Sequence, residues 1–124
     1  RKAETMGVTL SKQMCAKPVS AKVWRYEDVR PHWDKLMLRA FIHVKGERRL
    51  YQEGPVTAMK APEELISAYM NGKPLPVGWA MFFGTLAVHG GIVPADSFEM
   101  ELDDPVLGRK LSHRYSIVSL PNEG

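Results

Sequence analysis

A chain of 124 residues that is 44% hydrophobic and 25% charged has the composition of one globular domain, with enough apolar surface for a core. Its net charge of +3 is scattered, with no basic cluster or recognition motif, so no nucleic-acid partner is expected; no stretch nears the roughly 20 apolar residues of a membrane helix, and no signal peptide opens the chain. A single cysteine, Cys15, cannot make an internal disulfide, which points to a reducing, cytoplasmic setting.

In chain order, Val8, Leu10 and Met14 share one parity and Thr9, Ser11 and Gln13 the other, a pattern for a short strand with Lys12 on its apolar side. Residues 18–31 hold two prolines and no sustained period, and are expected to form a loop with one turn around Tyr26-Glu27-Asp28. From Leu36 to Val44 the alternation is clean: Leu36, Leu38, Ala40, Ile42 and Val44 take one face, and Met37, Arg39, Phe41 and His43 the other. Lys45-Gly46-Glu47 then turns the chain into a second strand, Arg48 to Glu53, making a hairpin.

A helix is predicted from Ala61 to Asn71. Pro62 suits its first turn, Glu63 and Glu64 complement its N-terminal dipole, and Gly72 supplies the stop. Its stripe of Leu65, Ile66, Tyr69 and Met70 is expected to face the core. Next comes the stretch around which the chain is organised, Val77 to Gly91. The apolar run Trp79 to Phe83, bounded by glycine and proline, reads as a buried strand. Gly84-Thr85 at its end would let a ligand approach the backbone, and His89, in the following loop, brings a titratable ring within reach. Ser97 to Leu102 is another alternating strand, and Arg109 to Leu120 closes the chain. Five or six strands against one helix, with no βαβ rhythm, indicate a mainly β (α+β) fold with a mixed or antiparallel sheet.

Few residues carry a chemical signature. Glu99 and Glu101 leave one strand face ~7 Å apart, suitable for a cation or an acid–base pair, yet they continue into Asp103-Asp104 and read more simply as a solvent face. His32, His43, His89 and His113 show no zinc spacing, and Cys15 reads as a small packed side chain.

The order of motifs adds a resemblance. Lys12-Gln13-Met14, then Cys15-Ala16-Lys17-Pro18-Val19-Ser20, a hairpin ending Tyr51-Gln52-Glu53-Gly54 with Met59 beyond it, a helix, Phe83-Gly84-Thr85, and finally Ser97 to Leu102 together resemble the fumarylacetoacetate hydrolase superfamily. The likeness is to its C-terminal portion, closest to an uncharacterised bacterial branch. It implies a mixed β-sandwich roll with one main helix over residues 1–124, as part of a longer catalytic domain. It further implies a homodimer whose full-length parent uses Mg²⁺ or Ca²⁺ to cleave C–C bonds of oxo-acid or β-diketo acid substrates. By position, Lys12 would be catalytic, and Gln52, Gly84 and Thr85 would bind substrate beside His89. The superfamily's metal-binding acids lie N-terminal to the lysine, where only Arg1 to Ser11 stand here, so this fragment is expected to hold no metal and to be inactive alone. The alternative is a non-catalytic binding or assembly domain that keeps the roll.

Overall fold

Strict alternation in the middle of the chain decides the architecture. The computed structural model describes residues 15–119, so the strand expected at Val8 to Met14, Lys12 included, lies outside the described residues. Four strands form: β1 (Met37–Val44), β2 (Glu47–Pro55), β3 (Ser97–Asp104) and β4 (Arg109–Ser116). They make one antiparallel sheet in the order β2-β1-β3-β4. The most apolar strand, β1, takes an interior position, as burial of Leu36, Ala40 and Ile42 requires.

The β1–β2 hairpin turns through Lys45 and Gly46, both at positive φ (51° and 82°), the pair of left-handed residues that a tight two-residue turn needs. Asp96 locks this end of the sheet. Its carboxylate accepts the Lys45 N–H (2.8 Å), its N–H donates to the His43 carbonyl (2.8 Å), and its carbonyl accepts the Ile117 N–H (2.9 Å). At the opposite end β3 runs into β4 through Pro105 to Gly108, where Asp104 accepts the N–H groups of Val106 and Leu107 (3.2 and 3.1 Å).

Two helices accompany the sheet. The first, α1 (Tyr26–Val29), is one turn that continues into a 3-10 segment, Arg30–Lys35, and it falls where the sequence predicts a turn. The second, α2 (Pro62–Met70), is the predicted helix; Asn71 adopts the left-handed conformation (φ 52°) and the Gly72 N–H reaches the Ser67 carbonyl at 2.8 Å. A hydrogen bond from Tyr26 to Glu63 ties the two helices together. Burial first, and then Glu63, push the Tyr26 phenol up to about 12. The core is small: Val29, Leu36 and Val56, closed over by Trp24, Trp33, Leu38, Met59 and Leu102.

Two expectations fail. The run Trp79 to Phe83 forms no strand; it crosses the sheet as irregular chain, with Met81 and Phe83 half-buried and Trp79 and Phe82 exposed. An apolar run becomes a buried strand only where neighbouring strands take up its backbone groups, and its alternation of inward and outward residues serves here to cover one face of the sheet. The helix stripe is likewise only partly inward: Leu65, Ile66 and Met70 are half-buried, whereas Tyr69 is 67% exposed. Among the described residues the strands number four, in a single antiparallel sheet; of the strands expected there, only Trp79 to Phe83 is absent.

Candidate functional site

Gln52 lies on β2 opposite Ala40, so its amide projects from the apolar face of the sheet, where only 9% of the residue is exposed. A primary amide there must find partners. The irregular stretch supplies them, because Gln52 Nε2 donates to Thr85 Oγ1 (2.8 Å) and to the Leu86 carbonyl (2.5 Å). A carbonyl can only accept, so Leu86 fixes which end of the amide is nitrogen. Leu86 also lies against Gly54, where a β-carbon would stand 3.4 Å from Cδ1. Gln52 is therefore a latch that holds residues 84–86 over the sheet.

Beneath the latch is a hollow of about 220 Å³, floored by Leu38, Ala40, Phe98 and Met100 and closed by Met59 and Leu86. A second hollow of about 250 Å³ adjoins it, sharing Leu38, Met59 and Gly84, with Trp33, Met81 and Phe83 as its further walls. The two make one trough, mostly apolar, whose polar groups are those of the latch together with Arg39 and Lys60 at its walls. At the latch the polar groups are half used. The Thr85 hydroxyl accepts from Gln52, but its own proton has only the Leu86 carbonyl at 3.5 Å, and no described group donates to Gln52 Oε1. One donor and one acceptor thus stand at one end of an apolar trough. A wider groove of about 430 Å³ between α2 and the covering stretch is lined by Leu65, Tyr69, Leu75, Trp79 and Phe82, so its side chains bring one phenol and one indole among apolar groups.

The other face of the sheet is charged. Arg39 bridges Glu53 (2.5 Å) and Asp103 (3.0 Å), Arg48 bridges Glu99 (2.8 Å) and Glu101 (3.4 Å), and Lys110 reaches Glu101 (3.1 Å). His43 Nε2 adds a contact to Glu99 at 3.1 Å, and the Arg48 guanidinium lies 3.3 Å from the Phe41 ring centroid. Arg48 and, more weakly, His43 hold the Glu99 carboxyl down at about 2 against the opposing effect of burial. Glu99 and Glu101 are consequently no bare solvent face; their carboxylates, 15% and 11% exposed, are neutralised by cross-strand cations.

A second ionic cluster, which sequence reasoning missed, pins the β3–β4 corner. The fully buried Asp104 carboxylate meets His32 Nε2 and Arg109 Nε, each at 3.0 Å, and the Arg109 guanidinium lies 4.5 Å from the Trp24 ring centroid. Burial pushes the Asp104 carboxyl up, but His32, the Leu107 N–H and Arg109 outweigh it and leave the group at about 2. The signal available was the run Asp103-Asp104-Pro105 with Gly108 three residues on, a turn whose aspartate caps its own backbone. His32, some seventy residues earlier, carried none.

Of the residues predicted to form the site, Gln52, Gly84 and Thr85 line one hollow. His89 does not join them: it is exposed, and its N–H donates to the Tyr51 carbonyl at 2.8 Å on the outer side of β2. Lys12 lies outside the described residues. The divalent cation expected in a longer parent is assigned to acids N-terminal to Lys12, and the walls of the trough add no carboxylate to such a set. Such an ion wants several carboxylate oxygens, whereas the side-chain and carbonyl oxygens at the latch are those of one amide, one hydroxyl and one carbonyl, and no group of three or more His, Cys, Asp or Glu residues among the described ones is placed to hold a metal.

A family model matches residues 1–115, nearly the whole chain, and its description is DUF2848, protein of unknown function. The chain belongs to the DUF2848 family. This assignment corrects the resemblance to the fumarylacetoacetate hydrolase superfamily: the family matched is a different, uncharacterised one, and nothing links the chain to that superfamily. The likeness rested on short segments such as Phe83-Gly84-Thr85, and three residues with a glycine recur at strand and loop ends for conformational reasons alone. No curated protein and no solved structure matches this DUF2848 chain.

Proposed function

We propose that this DUF2848 chain is a small-molecule-binding domain whose trough takes a mostly apolar ligand carrying a carbonyl group. One observation carries the reading: a hydroxyl donor and an amide acceptor with capacity to spare stand at the end of a trough whose walls include no carboxylate, imidazole or thiol. The two cations among the wall residues are already engaged, Lys60 with Glu64 and Arg39 with Glu53 and Asp103. Binding is thus better supported than acid–base chemistry.

The dimensions narrow the ligand. An apolar cavity of about 150 Å³ accommodates a benzene ring, so each hollow takes a ring or a branched alkyl group. The ligand is two-lobed, with its tail among Trp33, Met59, Met81 and Phe83 and its carbonyl toward the Thr85 hydroxyl. A carboxylate would meet no uncommitted cation among the described wall residues.

Calorimetric titration with 4-phenylbutan-2-one and with 4-phenyl-2-oxobutanoate tests this. The ketone should bind saturably, in the millimolar range expected of so small a ligand and more tightly than the oxo-acid. Thr85→Val, which removes the hydroxyl while keeping the shape, should weaken it by about fivefold. Ketone binding that is absent, or unaffected by Thr85→Val, would end the proposal.

A further inference from the structure

The two outer edges of the sheet are treated differently. On β2 a bulge interrupts the pairing at Ala40/Phe41, the Tyr51 carbonyl accepts the His89 N–H, and Pro55 ends the strand. The outer edge of β4 has no such protection among the described residues. It runs eight residues in unbroken register, from Ser97 opposite Ser116 to Asp104 opposite Arg109, without proline or bulge. A row of unpaired N–H and C=O groups of this length is a template for another strand.

The side chains of β4 say which strand would fit. Leu111 and His113 point to the apolar face, where with Leu38, Met100, Leu102 and Ser20 they line a hollow of about 140 Å³. Lys110 and Arg114 lie on the charged face. β4 contains Arg109, Lys110 and Arg114 and no acid. Arg109 is committed to the buried Asp104; Lys110 reaches Glu101 while staying 46% exposed, and Arg114 donates only to the Ser97 hydroxyl (3.1 and 2.9 Å), without a carboxylate partner among the described residues.

We propose that β4 receives an extended acidic peptide as an added strand. Its backbone pairs with the open edge, apolar side chains of one parity approach the hollow beside Leu111 and His113, and acidic side chains of the other parity meet Lys110 and Arg114. Charge complementarity selects an acidic peptide over a second copy of β4, which would bring the same cations to the seam.

The test uses the full chain, isotopically labelled, with two capped eight-residue peptides, one alternating valine with glutamate and the other valine with lysine. The glutamate peptide should bind saturably and slow hydrogen exchange at alternate amides of residues 109–116. Lys110→Gln with Arg114→Gln should weaken it by about fivefold, whereas Arg114→Lys should keep most of the affinity. Melting curves confirm that each variant is folded. Four results overturn the proposal: no binding, equal binding of the two peptides, protection confined to other segments, or β4 edge amides already protected in the free protein, which would mean that its own chain or a second copy fills the edge.

Discussion

Replacing Gln52 by leucine keeps the approximate volume and deletes both hydrogen bonds that hold residues 84–86 to the sheet. Thr85 is exposed, so water can replace the lost donor at its hydroxyl, but the half-buried Leu86 carbonyl loses a close partner. A carbonyl stranded in this way costs about 1–2 kcal/mol, and the greater burial value of leucine offsets up to ~1 kcal/mol of it. The single variant should therefore lose ~1 kcal/mol, or roughly 3–5 °C in melting temperature for a domain of this size. Because other effects can produce a number that small, the cycle with Thr85→Val is the sharper measurement. If the amide and hydroxyl bond each other, urea unfolding of the four proteins should give a coupling energy of about 0.5–1.5 kcal/mol with unchanged m-values. Additive losses, within ~0.3 kcal/mol, would show that Gln52 and Thr85 do not act as a pair and would dismantle the latch.

Stability should also fall in acid. The carboxyls of Glu99 and Asp104, each held at about 2, lie below their ordinary values of 4.5 and 3.8, so the stability they contribute is fully present above about pH 4.5 and is lost as the pH drops toward 2. For Glu99 the full shift corresponds to ~3 kcal/mol, which screening at a partly exposed face reduces to ~1 kcal/mol. Glu99→Gln should accordingly reduce the difference in urea midpoint between pH 7 and pH 3; an unchanged difference would show that its ion pairs contribute nothing. In the core, Leu36 is completely buried against Val29 and Val56, so Leu36→Ala should cost about 2–5 kcal/mol, a large part of a typical domain's stability. A urea midpoint within error of wild type would mean that this cluster is not the core.

The parts of the fold legible in the sequence are those set by neighbours along the chain. The alternation through β1 and β3, the two left-handed residues at Lys45-Gly46, and Pro62 opening α2 before the stop at Asn71-Gly72 all act within a few residues of themselves. Trp79 to Phe83 failed because an apolar run does not say whether its backbone will find a partner strand or lie across one face as a cover. Long-range pairings were likewise silent: His32 with Asp104, and Arg48 with Glu99. Of the residues at the trough, Gly84 and Thr85 were singled out by their place after an apolar run, whereas Gln52 entered only through the overturned resemblance; the physical reason the three meet is the amide latch between β2 and the covering stretch, which no local pattern encodes. Trp33 and Met81, which wall the trough, read as ordinary apolar residues until the chain folds back over the sheet.

The trough is tested most directly by following the side-chain amide of Gln52 in heteronuclear NMR spectra while 4-phenylbutan-2-one is added. The account predicts that this resonance and the backbone amides of Thr85 and Leu86 shift along a single saturation curve, with Met59 and Phe83 moving alongside. It is contradicted if those signals stay still while the ketone saturates the protein elsewhere, for instance in the groove beside Tyr69 and Trp79.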